Sequence, residues 1–273
     1  YRLLNWPLVQ MIRVLHGLAA ERFDFGLSAR RGAGGRGDPR DHLLLFLARA
    51  RTRLGFAGLG SRSILAKPLD RPEPTAHRYE NWRVMAQALG FEVPRREALV
   101  LPQLRPAGEV LVHTGAGQPV RVWPLERYRK RVARLRGASY RVQVACDPDQ
   151  RDWWQASGEK DVATPLTVTD LLVLTDRAGA FIGNDSGPGH LAAFCGVPTF
   201  TLFGPQMPEW FAPVHPGSEW LEGKPCPYKP CSDYCRFSVP CCMANSGEEE
   251  VCVLVESFVA RTVRAGKQEC VRV

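Results

Sequence analysis

Apolar residues follow two different spacings along the second half of the chain. Short consecutive apolar runs predict buried strands, and stretches with an apolar residue every three or four positions predict helices. The predicted strands are 109–112, 140–146, 180–183 and 199–204, and the helices between them include 124–136, 168–178 and 189–195. Because strands and helices alternate, this half predicts a parallel sheet with helices on both faces.

Two helix starts in this half carry capping-box signals. In a capping box, a Thr or Ser side chain and an acidic side chain three positions later bond each other's backbone N–H groups. Thr167 with Asp170 opens the helix at 168–178, and Ser246 with Glu249 opens the last helix. The apolar stripe predicted for the last helix comprises Val251, Leu254, Val255, Phe258, Val259 and Val263. Such a stripe predicts that the last helix packs against a core.

The first half of the chain predicts fewer strands. The expected elements are helices over 1–22, 42–55 and 77–89, a short strand over 23–28, and a Gly- and Arg-rich loop over 29–42. Gly90 is placed to close the third helix. The polar, Pro-punctuated segment 93–109 predicts a domain boundary. We therefore expect an N-terminal domain over residues 1–100 and a C-terminal domain over residues 101–273.

The composition is that of a globular protein with sizeable cores. Of the 273 residues, 45% are hydrophobic and 23% are charged. The net charge of +8 favours anionic partners such as phosphates, nucleic acid or an anionic membrane face. The arginines are scattered and the aromatic residues do not interleave with them, so we expect no nucleic-acid partner. No run approaches the ~20 apolar residues that a membrane span needs.

The junction at 181–190 interrupts an apolar run with a carboxylate and several small residues. Ligands of open parallel sheets bind beyond the carboxyl ends of the strands, where a helix start presents free N–H groups to an anion. We therefore expect a phosphate or diphosphate on the segment that consists of Ser186, Gly187, Pro188, Gly189 and His190. A phosphate would repel Asp185, whose carboxylate is better suited to accept hydrogen bonds from sugar hydroxyls. The pattern predicts a nucleotide-sugar site, and the alternative is a surface turn with Asp185 or Ser186 as helix N-cap.

A second glycine loop, 113–117, follows the strand at 109–112. Thr114, Gly115 and Gly117 offer hydroxyl and backbone donors. The Arg121 guanidinium suits a departing diphosphate, because it can donate two hydrogen bonds to one anion. The alternative is that Arg121 is one of many solvated arginines. Structural roles are also open for the two histidines next to these loops, His113 and His190.

Five cysteines lie close together with the spacing C-x4-C-x3-C-x5-C-C, namely Cys226, Cys231, Cys235, Cys241 and Cys242. Thiolates bind Zn²⁺ and Fe–S clusters, but this irregular spacing does not match paired CxxC knuckles. Buried reduced thiols and redox disulfides are the other interpretations. We therefore predict neither a metal nor a cofactor.

The segments "VLVHTGAGQPVRVWPLERY" and "FIGNDSGPGHLAAFCGVPTFTLFGP" resemble the two hallmark segments of glycosyltransferase family 9, the ADP-heptose:lipopolysaccharide heptosyltransferases. The resemblance covers nearly the whole chain and is strongest from residue 109 onward. It implies an α/β fold of the GT-B type, with two Rossmann-like doubly wound domains and the active site in the cleft between them. It also implies donor-binding roles for Thr114, Gly115, Asp185 and Ser186 to His190, and a position near the diphosphate for Arg121.

The implied activity is inverting transfer of a heptose or related sugar from an ADP-sugar donor to a lipopolysaccharide core or similar glycan. Arg121 and the helix start after Gly187 would stabilise the leaving diphosphate. The positive charge suits a phosphorylated glycolipid acceptor, which predicts a cytoplasmic protein with peripheral contact to the anionic inner membrane. Candidate acceptor contacts are Arg30, Arg31, Arg36 and Arg40, and a solvated loop is the alternative.

The chain departs from the family pattern at its start. It has no counterpart of the first strand and Gly-Asp loop that supply the family's general base, so we expect an incomplete N-terminal domain and leave the base unassigned. Asp24, Asp38 and Asp41 lie outside that motif. Two other functions therefore stay open. One is a non-catalytic protein that binds a nucleotide sugar or glycan, and the other is another GT-B enzyme such as a sugar-nucleotide epimerase.

Overall fold

The computed structural model describes residues 8–29, 38–58, 61–65, 67–70, 72–102, 108–231, 234–244 and 247–269. The chain divides into two compact units, Tyr1–Leu99 (unit 1) and Val100–Val273 (unit 2). Each unit contains a parallel sheet with helices in the connections between strands. The predicted α/β fold class is therefore confirmed.

Unit 1 contains a small parallel sheet. Its elements are α1 (Leu8–Ala20), β1 (Phe25–Ser28), α2 (Pro39–Leu47), β2 (Thr52–Phe56), α3 (Ser61–Ile64), β3 (Lys67–Leu69) and α4 (Tyr79–Ala88), followed by a 3-10 turn over Arg96–Ala98. The described strands pair in the order β1–β2–β3. Within the described residues, α1, β1 and α4 confirm three predicted elements. Gly90 has a φ of +92°, the left-handed conformation that commonly follows a helix end.

The helix predicted over 42–55 is wrong. Helix α2 starts earlier, at Pro39, where the Asp38 side chain accepts the Arg40 N–H at 2.9 Å as an N-cap. The helix is only nine residues long. Arg49 then adopts a φ of +54°, and the chain continues as β2, which pairs with β1. Because neither Gly nor Pro marks this turn, the apolar residues of the helix and of the strand looked like one periodic segment.

Unit 2 is a larger doubly wound unit. Its elements are β4 (Glu109–His113), α5 (Leu125–Gly137), β5 (Val142–Ala145), α6 (Arg151–Ala156), β6 (Val162–Ala163), α7 (Val168–Asp176), β7 (Ala178–Asn184), α8 (Gly187–Phe194), β8 (Thr199–Phe203), α9 (Pro208–Phe211), β9 (Glu219–Glu222), α10 (Cys241–Ala244) and α11 (Glu248–Glu269). Short 3-10 turns occupy Pro119–Arg121 and Pro148–Gln150.

The strand order of unit 2 places a switch point between β4 and β7. The described strands are all parallel and follow the order β6–β5–β4–β7–β8–β9. The chain therefore proceeds outward from β4 on one side and outward from β7 on the other. In open α/β sheets, the crevice at such a reversal is where ligands bind, outside the carboxyl ends of the strands.

Apolar clusters cover both faces of this sheet. One contains Val110 and Val112 of β4 with residues of α5 and α11, and the other contains Leu111 of β4 with residues of α7 and α8. Phe258 of α11 is completely buried, and a side chain of this kind contributes about 1.5–3 kcal/mol when buried. Leu254 is 36% exposed, so its place on the predicted stripe is wrong. The other stripe residues are buried, namely Val251, Val255, Phe258, Val259 and Val263.

The capping box at α7 is confirmed. The Asp170 N–H donates to Thr167 Oγ1 at 3.1 Å, and the Thr167 N–H donates to Asp170 Oδ2 at 3.0 Å. Ser246, the N-cap predicted for the last helix, lies outside the described residues. No described helix combines the length and the apolar composition that crossing a bilayer requires.

The positive charge of helix α5 is largely paired within unit 2. Lys130 Nζ lies 3.1 Å from a Glu248 carboxylate oxygen, and Arg134 Nε lies 2.7 Å from Glu256. Both acidic partners are on α11. Ion pairs as exposed as these stabilise a fold by at most about 1 kcal/mol each, but they give the helix a mixed-charge surface.

Candidate functional site

The candidate site lies at the switch point of unit 2, where two loops leave the carboxyl ends of β4 and β7. The first loop runs from Thr114 to Arg121, and the second runs from Asp185 into α8. Arg121 Nη1 lies 3.3 Å from Asp185 Oδ2 and donates to the Asp185 carbonyl oxygen at 3.4 Å. The structure thus brings together two predicted site residues that are 64 positions apart in sequence.

Arg121 and Asp185 form an ion pair. Asp185 is only 3% exposed, and its N–H donates to the Leu202 carbonyl oxygen of β8 at 3.1 Å. A carboxylate this deeply buried needs a nearby cation, because burial penalises its charged form. Arg121 meets that need while keeping 22% of its side chain exposed. The pair therefore places a buried carboxylate next to a partly exposed guanidinium that can contact an anion.

Asn184 fixes the distance between the two loops, and our sequence analysis did not single it out. It is completely buried as the last residue of β7. Its Oδ1 accepts the Trp123 N–H at 3.0 Å and the Tyr128 hydroxyl at 2.9 Å. Its Nδ2 donates to the carbonyl oxygens of Thr114 and Gly115 at 2.9 and 3.3 Å. The available signal was an amide side chain that ends an otherwise apolar strand.

The Thr114 side chain faces the interior of unit 2. Its hydroxyl donates to Gln150 Oε1 at 2.8 Å and accepts the Trp154 indole N–H at 3.1 Å. The Thr114 N–H donates to the Ala145 carbonyl oxygen at 2.9 Å. The expectation that this hydroxyl faces a phosphate is therefore corrected, because Gln150 and Trp154 already use it. Thr114 positions the loop, and the backbone groups that follow it remain the candidates for ligand contact.

Gly115 lies close to a neighbouring carboxylate. A Cβ at this position would lie 2.3 Å from the carboxylate oxygens of Asp147, the residue that follows β5 by two positions. His113 is buried beside this carboxylate and stacks on Phe181 with 6.4 Å between ring centroids. Burial lowers the pKa of His113, although the Asp147 charge opposes the shift. His113 is therefore neutral near pH 7, which favours its structural interpretation.

The start of α8 offers fewer donors than its sequence suggested. Ser186 is the N-cap residue, but its hydroxyl donates back to the Asn184 carbonyl oxygen at 3.3 Å and makes no capping bond. Pro188 lacks an N–H. The Gly189 N–H lies 3.2 Å from the Ser186 carbonyl oxygen, and a Cβ on Gly189 would contact the Phe181 ring at 3.4 Å. Gly189 is buried beside this ring, and its expected role in ligand approach stays a prediction.

Gly187 keeps the predicted geometry for close ligand approach. It is exposed at the first position of α8, and a Cβ there would meet no described atom within 4 Å. The first N–H groups of a helix have no intrahelical partner, so the Gly187 N–H faces the space beyond the strand ends. His190 is exposed one turn into the helix.

A separate cavity of about 640 Å³ lies at the opposite edge of the same sheet. Its lining comes from the carboxyl ends of α7 and α8 and the amino ends of the strands that follow, including Asp176, Ala178, Cys195 and Val197. Both predicted loops are at the carboxyl edge, so this cavity is not the candidate site.

The remaining acidic and basic candidates are in unit 1. Asp24 precedes β1 and is therefore at the amino edge of its sheet. Asp38 caps α2, and Asp41 in the first turn of α2 accepts the Ser28 hydroxyl at 3.3 Å at the carboxyl end of β1. Arg40 is exposed in the same turn. The other predicted acceptor contacts, Arg30, Arg31 and Arg36, lie outside the described residues.

The five clustered cysteines are free thiols. Among the residues that the structure describes, no group of three or more His, Cys, Asp or Glu side chains is arranged to hold a metal. Burial raises the pKa of Cys231 and of Cys242, so both thiols are neutral near pH 7. The Cys231 N–H donates to the Pro205 carbonyl oxygen at 3.2 Å, which attaches this loop to the carboxyl end of β8.

Comparisons with known proteins show the family of this chain. The sequence model described as glycosyltransferase family 9 (heptosyltransferase) matches residues 44–236, which is more than half of the chain. A curated relative, lipopolysaccharide heptosyltransferase 3 of Escherichia coli (strain K12), is 29% identical over 104 residues. This match covers 35% of the present chain and only 30% of the relative.

Solved structures resemble the fold over most of the chain. ADP-heptose lps heptosyltransferase II of E. coli has a TM-score of 0.61 at 15% identity. The match covers 91% of this chain and 80% of the chain in that structure. A glycosyl transferase family 9 protein from Veillonella parvula DSM 2008 has a TM-score of 0.63 at 20% identity, with coverages of 91% and 77%. An E. coli heptosyltransferase solved with ADP has a TM-score of 0.62 at 14% identity, with coverages of 93% and 80%. At these identities the likeness shows the fold, and it confirms the predicted GT-B type.

Proposed function

Because the chain belongs to glycosyltransferase family 9 (heptosyltransferase), we propose that it transfers a heptose or related sugar from an ADP-sugar donor to a lipopolysaccharide core or similar glycan. The observation that carries this proposal is the Arg121–Asp185 pair at the switch point of unit 2. An acceptor of hydroxyl hydrogen bonds beside a cation is the arrangement that a sugar joined to a diphosphate requires. The printed names of the relatives, which include ADP-heptose and lipopolysaccharide, support the choice of donor and acceptor class.

The proposed chemistry uses the two loops together. An acceptor hydroxyl oxygen bonds to the anomeric carbon of the donor sugar from the face opposite the diphosphate, the bond from that carbon to the diphosphate oxygen breaks, and the hydroxyl proton passes to a base. Negative charge grows on the diphosphate as it departs. Arg121 and the Gly187 N–H at the positive end of α8 stabilise that charge. Asp185 holds the donor sugar through its hydroxyls.

This proposal assigns donor binding to unit 2 and acceptor recognition to unit 1. It also includes a phosphorylated glycolipid as the acceptor class and work at the cytoplasmic face of the inner membrane. The net charge of +8 supports these assignments, since an anionic acceptor and an anionic membrane face attract a basic protein.

Calorimetric titration with ADP-heptose, ADP, UDP-GlcNAc and GDP-mannose tests the donor assignment. We expect ADP-heptose and ADP to bind, with ADP-heptose binding more tightly because Asp185 contacts its sugar. Binding of UDP-GlcNAc alone would redirect the proposal to another nucleotide sugar. A folded protein that binds none of the four would contradict the proposed function.

The Gly187→Ala variant tests whether the start of α8 contacts the donor. The new methyl group meets no described atom, so we expect the melting temperature to stay within about 2 °C of the parent protein. It would enter the space that the diphosphate needs, and we expect ADP-heptose to bind on the order of tenfold more weakly. Gly137→Ala is the matched control, because its methyl group is also free of contacts and lies at the end of α5. Equal donor affinity in the two variants would contradict this contact.

A further inference from the structure

The loop that follows β9 exposes three aromatic rings. Tyr228 is 45% exposed, Phe237 is 46% exposed and Tyr234 is 73% exposed. Single exposed apolar residues are common on protein surfaces, but a group of them marks an interaction site more often than a bare surface. We name the residues Tyr228, Tyr234, Arg236 and Phe237 the aromatic loop.

The Arg236 guanidinium stacks on one of these rings. The ring centroids of Tyr228 and Phe237 are 5.9 Å apart with a tilt of 54° between the planes. The Arg236 guanidinium carbon lies 4.6 Å from the Tyr228 centroid, which is cation–π distance. This stacking orients the planar guanidinium, and the polar edge of a stacked guanidinium can still donate two hydrogen bonds to a phosphate.

The aromatic loop borders the carboxyl edge of the sheet in unit 2. The Cys231 N–H donates to the Pro205 carbonyl oxygen, two residues beyond the end of β8. Next to it in the sheet, β7 ends at Asn184, and the Asp185 N–H donates to the Leu202 carbonyl oxygen of β8. The loop is therefore attached next to the end of β8, and β8 is adjacent to β7, which Asp185 follows.

We propose that the aromatic loop binds the phosphorylated glycan acceptor. Sugar rings carry C–H groups on one face that pack on aromatic rings, while the guanidinium of Arg236 recognises a phosphate attached to the glycan. The loop thus contributes to the affinity of unit 2 for the acceptor. This inference rests on the proposed function, since it names a further binding surface for the acceptor of the same reaction.

The test measures the binding of a deacylated, phosphorylated lipopolysaccharide core oligosaccharide by calorimetry. The variants are Tyr234→Ala and Phe237→Ala, with Phe194→Ala as the control. Phe194 is 69% exposed at the far end of α8, so it matches Tyr234 in exposure and differs in position. We expect each loop variant to weaken oligosaccharide binding about threefold to tenfold. The control should bind like the parent protein.

Arg236→Ala separates the two parts of this surface. We expect it to weaken binding of the phosphorylated oligosaccharide about tenfold and to leave binding of the dephosphorylated oligosaccharide unchanged. Unchanged binding in all three loop variants would overturn the inference. So would variants that lose binding to vesicles of anionic phospholipid and keep their affinity for the oligosaccharide, because the loop would then be a membrane contact.

The affinity of each variant for ADP-heptose distinguishes failure of this inference from failure of the proposed function. Donor binding that persists while the loop variants bind the oligosaccharide normally would overturn only the role of the aromatic loop. A parent protein that binds neither ADP-heptose nor ADP would overturn the proposed function and this inference with it.

Discussion

Replacement of Arg121 by Ala is expected to lower the kcat of sugar transfer by about 10²–10³-fold, the effect of removing one donor aimed at charge that develops in a transition state. The guanidinium lies 3.3 Å from the buried Asp185 carboxylate, at the strand ends where the diphosphate is proposed to depart. The loss should appear mainly in kcat, because the negative charge on the diphosphate grows as the bond to the sugar breaks. Initial rates of ADP release at saturating donor measure it.

Two further variants control this prediction. Arg129→Ala removes an exposed arginine from α5 whose partner is Glu126 one turn away, and we expect unchanged kinetics. Arg121→Lys keeps the charge and loses the planar pair of donors, so it should recover only part of the rate. If Arg121→Ala were within threefold of the parent rate, Arg121 would be a structural partner of Asp185 and not a stabiliser of the leaving group.

The Asn184→Ala variant is expected to lose about 3–5 kcal/mol of the free energy of unfolding of unit 2. The substitution removes four hydrogen bonds, and it leaves the Trp123 N–H, the Tyr128 hydroxyl and the Gly115 carbonyl oxygen without these partners in a buried place. The Thr114 carbonyl oxygen keeps the hydrogen bond from Gln150 Nε2 at 3.3 Å. A buried polar group without a partner costs about 1–3 kcal/mol, and partial relaxation keeps the sum below three such terms. Guanidinium denaturation followed by tryptophan fluorescence measures the change.

Thr201→Val is the matched control for this loss. Thr201 is 1% exposed on β8, which neighbours β7, and its hydroxyl has no hydrogen-bond partner among the described residues. We therefore expect a change within about 0.5 kcal/mol, since the methyl group of Val replaces a hydroxyl that gains nothing. A loss below 1 kcal/mol in Asn184→Ala would mean that the two loops hold their positions without this amide.

The sequence correctly predicted the elements whose spacing of apolar residues is unambiguous. Strands β4, β7 and β8 each contain a short, mainly apolar segment, and the two loops that follow β4 and β7 contain glycines and a carboxylate where parallel strands end. Since ligands of parallel sheets bind at the carboxyl edge, the sequence alone predicted that both loops lie at that edge. The turn after α2 was missed because Arg49 adopts its left-handed conformation without a Gly or Pro to mark it.

Contacts between distant residues could not be predicted in the same way. Thr114 is polar and follows a strand, so the sequence was compatible with a hydrogen bond from its hydroxyl to a ligand. In the structure the hydroxyl donates instead to Gln150, which is 36 residues away. Nothing in the local sequence pairs Asn184 with Trp123, because their hydrogen bond spans 61 residues. Gly189 likewise looked like a loop glycine, and only the tertiary structure shows that it is buried beside the Phe181 ring. Such roles depend on tertiary neighbours and not on spacing.

Hydrogen–deuterium exchange of the protein with and without ADP-heptose tests the placement of the donor most directly. The account predicts slower amide exchange over 114–121 and 185–190, the two loops at the switch point, because a bound diphosphate sugar protects the N–H groups that it contacts. Residues 172–178 and 195–197, around the cavity at the opposite edge, should exchange at unchanged rates. Donor binding that protects the opposite edge and leaves both loops unprotected would contradict the account.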